Sequence, residues 1–155
     1  MWAALDFTAT LQSLGGDKMG FDKFGRKSFT AVTKTAKFVD LLGEGKIEGT
    51  VCKKCGAKFF PPRADCSSCL SNEMDWFVMP AKGKLETYTT AYYAPFGFEA
   101  DPPYTMGVVD FGDGLKLFAR LTKGIKPEDV TVGMNVTINP LKYDDGQISF
   151  EITKA

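Results

Sequence analysis

Apolar residues recur at intervals of three and four between Ser28 and Leu42, where Phe29, Val32, Ala36 and Val39 share one helical face. Ser28 is placed to cap that helix, and Gly43 and Gly45 stop it. From residue 46 the period shortens to two. Ile47 to Val51 reads as a strand, Lys58-Phe59-Phe60 as its return and Trp76-Phe77-Val78 as a closing strand of a small unit over 46–80. Every element predicted over 81–155 is a strand. Lys84 to Thr90 alternates and is rich in Thr and Tyr; Tyr104 to Phe111 turns through Asp113-Gly114 into Leu115 to Leu121. Val136 to Ile138 and Ile148 to Ile152 follow, joined through Asp144-Asp145-Gly146. Five short strands fit a small closed barrel, and the OB-fold is the usual five-stranded one. The predicted chain is therefore mainly β, with an extension and helix (1–45), a ribbon (46–80) and a barrel domain (81–155).

The ribbon carries all four cysteines, as Cys52-Lys53-Lys54-Cys55 and Cys66-Ser67-Ser68-Cys69. Each C-x-x-C pair offers two sulfurs from one turn, and the ten-residue spacer lets the two knuckles face each other across a tetrahedral site. Gly56, directly after Cys55, suits the positive φ that such knuckles require. Leu70 stands in the equivalent place of the second knuckle, where glycine is more usual. Four thiolates close a zinc ion completely, so the predicted role is structural. The same ligands hold iron in a rubredoxin-type electron-transfer site, and two disulfides are a further alternative. The spacing favours metal in a reducing cytoplasm. A unit this small cannot build its own core; metal binding supplies an apparent ~10–16 kcal/mol in zinc-finger peptides.

Composition narrows the chemistry. The 155 residues hold 19 basic and 19 acidic side chains and no histidine. Catalysis by a histidine base, or by a Ser-His or Cys-His pair within this chain, is excluded. With the four cysteines committed to metal, no cysteine nucleophile remains. Asp144-Asp145 belongs to a turn sequence and reads as solvated turn rather than catalytic dyad. Apolar runs fall far short of the roughly 20 residues of a membrane helix, and no signal peptide is visible, so a cytoplasmic location is expected. Residues 1–37 carry six basic and three acidic residues, with Trp2, Leu5, Phe7, Leu11 and Leu14 scattered before Gly15-Gly16. Asp6, Asp17 and Asp22 argue against a mitochondrial presequence. An ordered extension of this length needs something to lie on, such as a partner; otherwise it is partly disordered.

Several segments occur in series. They are Phe38-Val39-Asp40-Leu41-Leu42-Gly43-Glu44-Gly45-Lys46, the two knuckles with Lys58-Phe59-Phe60-Pro61-Pro62-Arg63 between them, Gly83 to Thr89, Pro102-Pro103-Tyr104, and Val132-Gly133-Met134-Asn135-Val136. Over residues 38–152 the chain resembles the acyl-CoA-associated proteins in which a rubredoxin-like zinc ribbon is fused to an OB-fold. Leu70 departs from the glycine that family often carries. The resemblance implies a non-catalytic accessory subunit that docks on a thiolase-like catalytic partner in a hetero-oligomeric acyltransferase complex, near the coenzyme A passage. Length and the N-terminal extension point within the family toward benzoylsuccinyl-CoA thiolysis in anaerobic toluene breakdown.

Beside the metal ligands Cys52, Cys55, Cys66 and Cys69, the candidates for CoA or partner contact are Arg63, Phe60, Phe96 and Phe98. Arg63 has the fork geometry for a CoA phosphate; alternatively it anchors the ribbon to the barrel. Phe59 and Phe60 point to opposite faces of a strand, one into the ribbon and the other toward barrel or partner. Phe96 and Phe98 lie on the long loop 94–103 and suit partner or acyl-chain contact, or cap the barrel core. Lys53-Lys54 could meet a phosphate or form a solvated tip. The competing function is a single-stranded nucleic-acid module, since zinc ribbons and OB barrels both take that role. Charge weighs against it: residues 81–155 carry a net −2 and residues 46–80 a net +1, where a groove tracking phosphates needs a positive excess.

Overall fold

The structure, a computed structural model, describes residues 20–25, 33–95 and 98–155. The helix is shorter than periodicity predicts. Helix α1 spans Lys37–Gly43, and the part of the prediction over 28–32, with Ser28 and its cap, lies outside the described residues. Residues 34–36 form a turn instead of helix. The Thr33 hydroxyl accepts the Thr35 N–H at 2.9 Å, a local bond that competes with helical pairing. At the other end, Lys46 N–H reaches Leu41 O at 2.8 Å and Gly45 N–H reaches Leu42 O at 3.0 Å. This is the Schellman closure, with Gly45 at φ +83° taking the left-handed position. Gly43 itself remains helical, so Gly45 is the stop.

Three antiparallel strands make the ribbon: β1 (Glu48–Cys52) lies between β2 (Lys58–Phe59) and β3 (Met74–Val78). Gly49 faces Phe77 across this sheet, and a Cβ there would stand 2.5 Å from the Phe59 carbonyl oxygen. Five more strands follow: β4 (Gly83–Ala91), β5 (Tyr104–Asp110), β6 (Lys116–Arg120), β7 (Asn135–Lys142) and β8 (Ile148–Lys154), in the order β6-β5-β4-β7-β8. The ends are joined by a parallel bridge between Leu121 and Ile152, where Thr122 N–H donates to Ile152 O at 2.8 Å. That closes the five-stranded OB barrel. Asp113 and Gly114 both take positive φ, as a tight hairpin between twisted strands requires. Inward positions of the strands supply Leu85, Val109, Leu117, Val136 and Ile152, all fully buried, each worth roughly 1.5–3 kcal/mol of transfer free energy.

Ribbon, helix and barrel share one core. Phe60 is buried between Phe38 of α1 (ring centroids 5.7 Å apart) and Phe150 of β8 (5.2 Å). Residues 20–25 complete the cluster. Phe24 stacks at 6.0 Å from Phe38 and 6.1 Å from Phe150, and Phe21 packs 5.5 Å from Phe24. Gly25 N–H donates to Ile148 O at 2.7 Å. This stretch of the extension therefore lies on the chain's own barrel rather than waiting for a partner. Among the described residues no helix is long and apolar enough to cross a membrane.

Candidate metal centre

The two knuckles have the same construction. Gly56 N–H donates to Cys52 O at 2.9 Å, and Leu70 N–H donates to Cys66 O at 2.9 Å. The strand-side bonds also match, Cys52 N–H to Ala57 O at 2.9 Å and Cys66 N–H to Ser71 O at 2.8 Å. Each chain segment then leaves through a positive φ, +75° at Gly56 and +58° at Leu70. This geometry brings all four sulfurs within 4.8 Å of one another, with Cys52–Cys69 and Cys55–Cys66 each at 3.5 Å. A zinc–sulfur bond of about 2.3 Å implies sulfur–sulfur edges of about 3.8 Å in a tetrahedron, which these distances bracket. The four residues fit a zinc ion, and a site closed by four thiolates contributes folding free energy.

Backbone donors reach the sulfurs, but the four thiols divide: Cys52 and Cys66 are lowered, Cys55 and Cys69 raised. The Cys55 and Lys54 N–H groups outweigh burial and hold the Cys52 thiol below the usual range. Burial raises Cys66, but N–H groups of Cys69 and Ser68, with the thiols of Cys55 and Cys69, bring it down to about 6. The Ala57 N–H favours ionised Cys55, yet the thiols of Cys66 and Cys69 together with burial push it up to about 12.

Arg63 sits in the ribbon and stays there. Its N–H donates to Thr50 Oγ1 at 2.9 Å, and the Thr50 hydroxyl lies 3.1 Å from the Arg63 carbonyl. Its guanidinium lies 5.0 Å over the Phe59 ring and donates to Ser67 Oγ at 3.0 Å. These contacts anchor the Pro61-Pro62 segment to β1 and to the second knuckle; they do not reach the barrel. The residue that ties ribbon to barrel is Phe60, whose ring is enclosed within the chain. Lys53 pairs with Asp75 at 3.6 Å on the exposed first knuckle. Asp145 is a turn residue, its carboxylate accepting the Gln147 N–H at 3.0 Å.

Of the two loop phenylalanines, Phe96 lies outside the described residues. Phe98 is half-buried and overhangs a cleft of about 420 Å³ whose walls include Arg120, Lys123, Tyr143, Phe150 and Glu151. Next to it, Asp101 is buried and accepts from Arg120 Nη1 at 2.9 Å, with Lys123 Nζ at 3.6 Å. Arg120 also covers the Tyr104 ring at 5.2 Å. Sequence reading missed this cluster because β5–β6 pairing, not spacing, brings Asp101 and Arg120 together. It also missed Tyr92 and Tyr93, exposed where β4 ends.

Comparison with known proteins agrees with this architecture. Residues 39–75 match the model of the ChsH2 rubredoxin-like zinc ribbon domain, and residues 76–139 that of the ChsH2 C-terminal OB-fold domain. A DUF35 domain-containing scaffold protein of Methanocaldococcus jannaschii is 34% identical over 107 residues, spanning 66% of this chain and 75% of the relative. Benzoylsuccinyl-CoA thiolase subunit BbsA of Thauera aromatica is 32% identical over 75 residues, 48% of this chain and 51% of that one. In three dimensions the chain resembles a chain of an Ltp2-ChsH2(DUF35) aldolase, with a TM-score of 0.66 at 22% identity over 81% of this chain and 98% of the other. With its zinc ribbon leading into an OB-fold barrel, the chain belongs to the DUF35 family.

Proposed function

We propose that this chain is the non-catalytic accessory subunit of a thiolase-type acyl-CoA complex, docking on the catalytic subunit and helping to shape its CoA entrance. One observation carries the reading: the chain's only cysteines converge on the metal centre, and the sequence holds no histidine. Thiolysis needs a cysteine nucleophile and an acid–base partner, so both come from another chain. The similarity to a scaffold protein and to a thiolase subunit supports the same assignment. In this account the partner's cysteine attacks the 3-oxo carbonyl, the carbon–carbon bond breaks to expel the shorter acyl-CoA as an enolate that the partner's acid protonates, and free CoA then displaces the cysteine to carry off the retained acyl group as a new thioester. This chain's residues do no covalent work. Phe98 and the cleft below it, with Arg120 and Lys123 at its wall, are its surface for the acyl-CoA, and benzoylsuccinyl-CoA is the substrate to which the BbsA similarity leads. The ribbon (46–80) and the barrel (81–155) act as one rigid scaffold.

The test is reconstitution. The catalytic subunit, separated from this chain, is assayed for 3-oxoacyl-CoA thiolysis, with benzoylsuccinyl-CoA among the substrates. Activity should fall at least tenfold without this chain and return when the zinc-loaded chain is added, but not with Cys52→Ser. Full activity from a catalytic subunit that no longer retains this chain contradicts the reading.

A further inference from the structure

Two sulfur–sulfur contacts divide the metal centre. Cys52 meets Cys69 at 3.5 Å, and Cys55 meets Cys66 at 3.5 Å. Each contact joins one knuckle to the other, and together they use every sulfur once. The pairs are nested: Cys52 and Cys69 stand 17 residues apart, with Cys55 and Cys66, 11 apart, between them. Two disulfides can therefore close here at once, neither taking a sulfur from the other. The sequence holds no fifth cysteine to intercept them. Access is unequal. Cys52 and Cys66 are buried and Cys69 is intermediate, whereas Cys55 is exposed. A sulfur that ligates zinc does so as the thiolate. In the loaded chain, exposure therefore decides which sulfur an oxidant reaches first.

We infer that the metal centre is a reversible redox latch, in which a hydroperoxide entering at Cys55 replaces zinc by two disulfides that cross between the knuckles. Each disulfide consumes one peroxide. The Cys55 sulfur attacks the O–O bond and takes one oxygen as sulfenic acid, while the other oxygen leaves and is protonated by solvent to water or an alcohol. The Cys66 sulfur then attacks the Cys55 sulfur. An S–S bond forms, the S–O bond breaks, and the hydroxide released is protonated to water. The two sulfurs have lost two electrons to the peroxide. Cys52 and Cys69 follow with a second peroxide, and with no thiolate left the zinc is released as the divalent ion. A dithiol reductant reverses both bonds and restores the ligands. In a reducing compartment such bonds are transient and serve redox sensing.

Where the bonds lie sets the consequence. Zinc ties the two knuckles together, and so does each cross-knuckle disulfide. The oxidised ribbon keeps its fold, with Phe60 seated against Phe38 and Phe150. Disulfides closed within the knuckles, Cys52 to Cys55 and Cys66 to Cys69, would leave the two unlinked and remove the metal's share of the ribbon's stability. The latch thus gives a folded, zinc-free form that reloads on reduction.

The test uses the full-length, zinc-loaded chain and hydrogen peroxide, with a colorimetric chelator reading free zinc. About two peroxides should be consumed for each zinc released. Dimedone present during a brief exposure should label Cys55 first. Four cysteines allow three pairings, and peptide mapping without reductant should find Cys52–Cys69 with Cys55–Cys66. The oxidised chain should have a higher urea midpoint than the reduced chain stripped of zinc, and should take back one zinc after dithiothreitol. Retained zinc, a first label on another cysteine, or bonds mapped within the knuckles overturns the inference. So does an oxidised chain that unfolds as readily as the stripped, reduced one.

Discussion

Phe60 of the ribbon and Phe150 of the barrel meet edge to face, with ring centroids 5.2 Å apart and planes crossing at 66°. Through that contact the zinc-bearing unit and the OB barrel share a core, extended by Phe38 and Phe24. Removing the Phe60 ring leaves a cavity between three elements. Phe60→Ala should cost about 3 kcal/mol of unfolding free energy, read as a lower urea midpoint at unchanged zinc content. Phe59→Ala, one residue earlier and less buried, should cost distinctly less. Equal losses at the two positions would mean that the rings do not divide between ribbon surface and shared core as described.

The Thr50–Arg63 link makes a sharper test, because one hydroxyl serves two backbone groups. Thr50 is buried, and its Oγ1 meets both the N–H and the carbonyl of Arg63. Thr50→Val keeps the shape and orphans both groups, which should cost about 1–3 kcal/mol. Thr50→Ser should recover most of it. Chemical denaturation of the two variants side by side checks this.

At the foot of the long loop, Asp101 is buried, while Arg120 and Lys123 beside it are not equally so. Arg120 is 27% exposed and Lys123 66% exposed at the side chain. Arg120→Ala takes the nearer cation away from a buried carboxylate and should cost about 3 kcal/mol. Lys123→Ala removes an exposed, weakly held partner and should cost under about 1 kcal/mol. Thermal unfolding of both variants decides; a larger loss for Lys123 would reverse the assignment of the main partner.

Much of this molecule is legible in its sequence, and the failures have physical causes. The four cysteines sit at local spacings, so the centre they form can be read directly. Strands announce themselves through alternation, and the Asp113-Gly114 turn through its Asp-Gly pair, which the structure places at positive φ. The helix is overextended because periodicity reports an apolar face without reporting the Thr33 hydroxyl bond that turns the chain at residues 33–35. Gly43 and Gly45 look alike in sequence, yet only Gly45 is left-handed. Arg63 reads from sequence either as a CoA-phosphate contact or as an anchor to the barrel; its partners Thr50 and Ser67 carry no sequence mark, and both lie in the ribbon. Asp101 and Arg120 stand 19 residues apart and meet only after two strands pair. The aromatic cluster around Phe60 likewise draws on Phe24, Phe38 and Phe150, which no window of sequence contains.

Metal binding should depend on pH in a definite direction. The ligands must be unprotonated to bind zinc. Cys66 is brought down to about 6 against the effect of burial, so this ligand is already largely ionised at pH 7.5. Zinc binding at pH 7.5 should therefore release fewer than four protons, as measured by calorimetry in buffers of differing ionisation enthalpy. The number should rise toward four as pH falls through the Cys66 value, and apparent zinc affinity should fall with it. Release of four protons at pH 7.5 would contradict the ionised state assigned to Cys66.

The central claim is that this chain is a zinc-knit scaffold bound to a catalytic subunit. Native mass spectrometry of the tagged chain purified from its own cells, with metal mass resolved, tests it most directly. The account predicts a complex with a larger thiolase-type subunit and one zinc per copy of this chain, and loss of that complex in Cys52→Ser. A lone zinc-bound chain, or one carrying single-stranded nucleic acid in place of a protein partner, would contradict it.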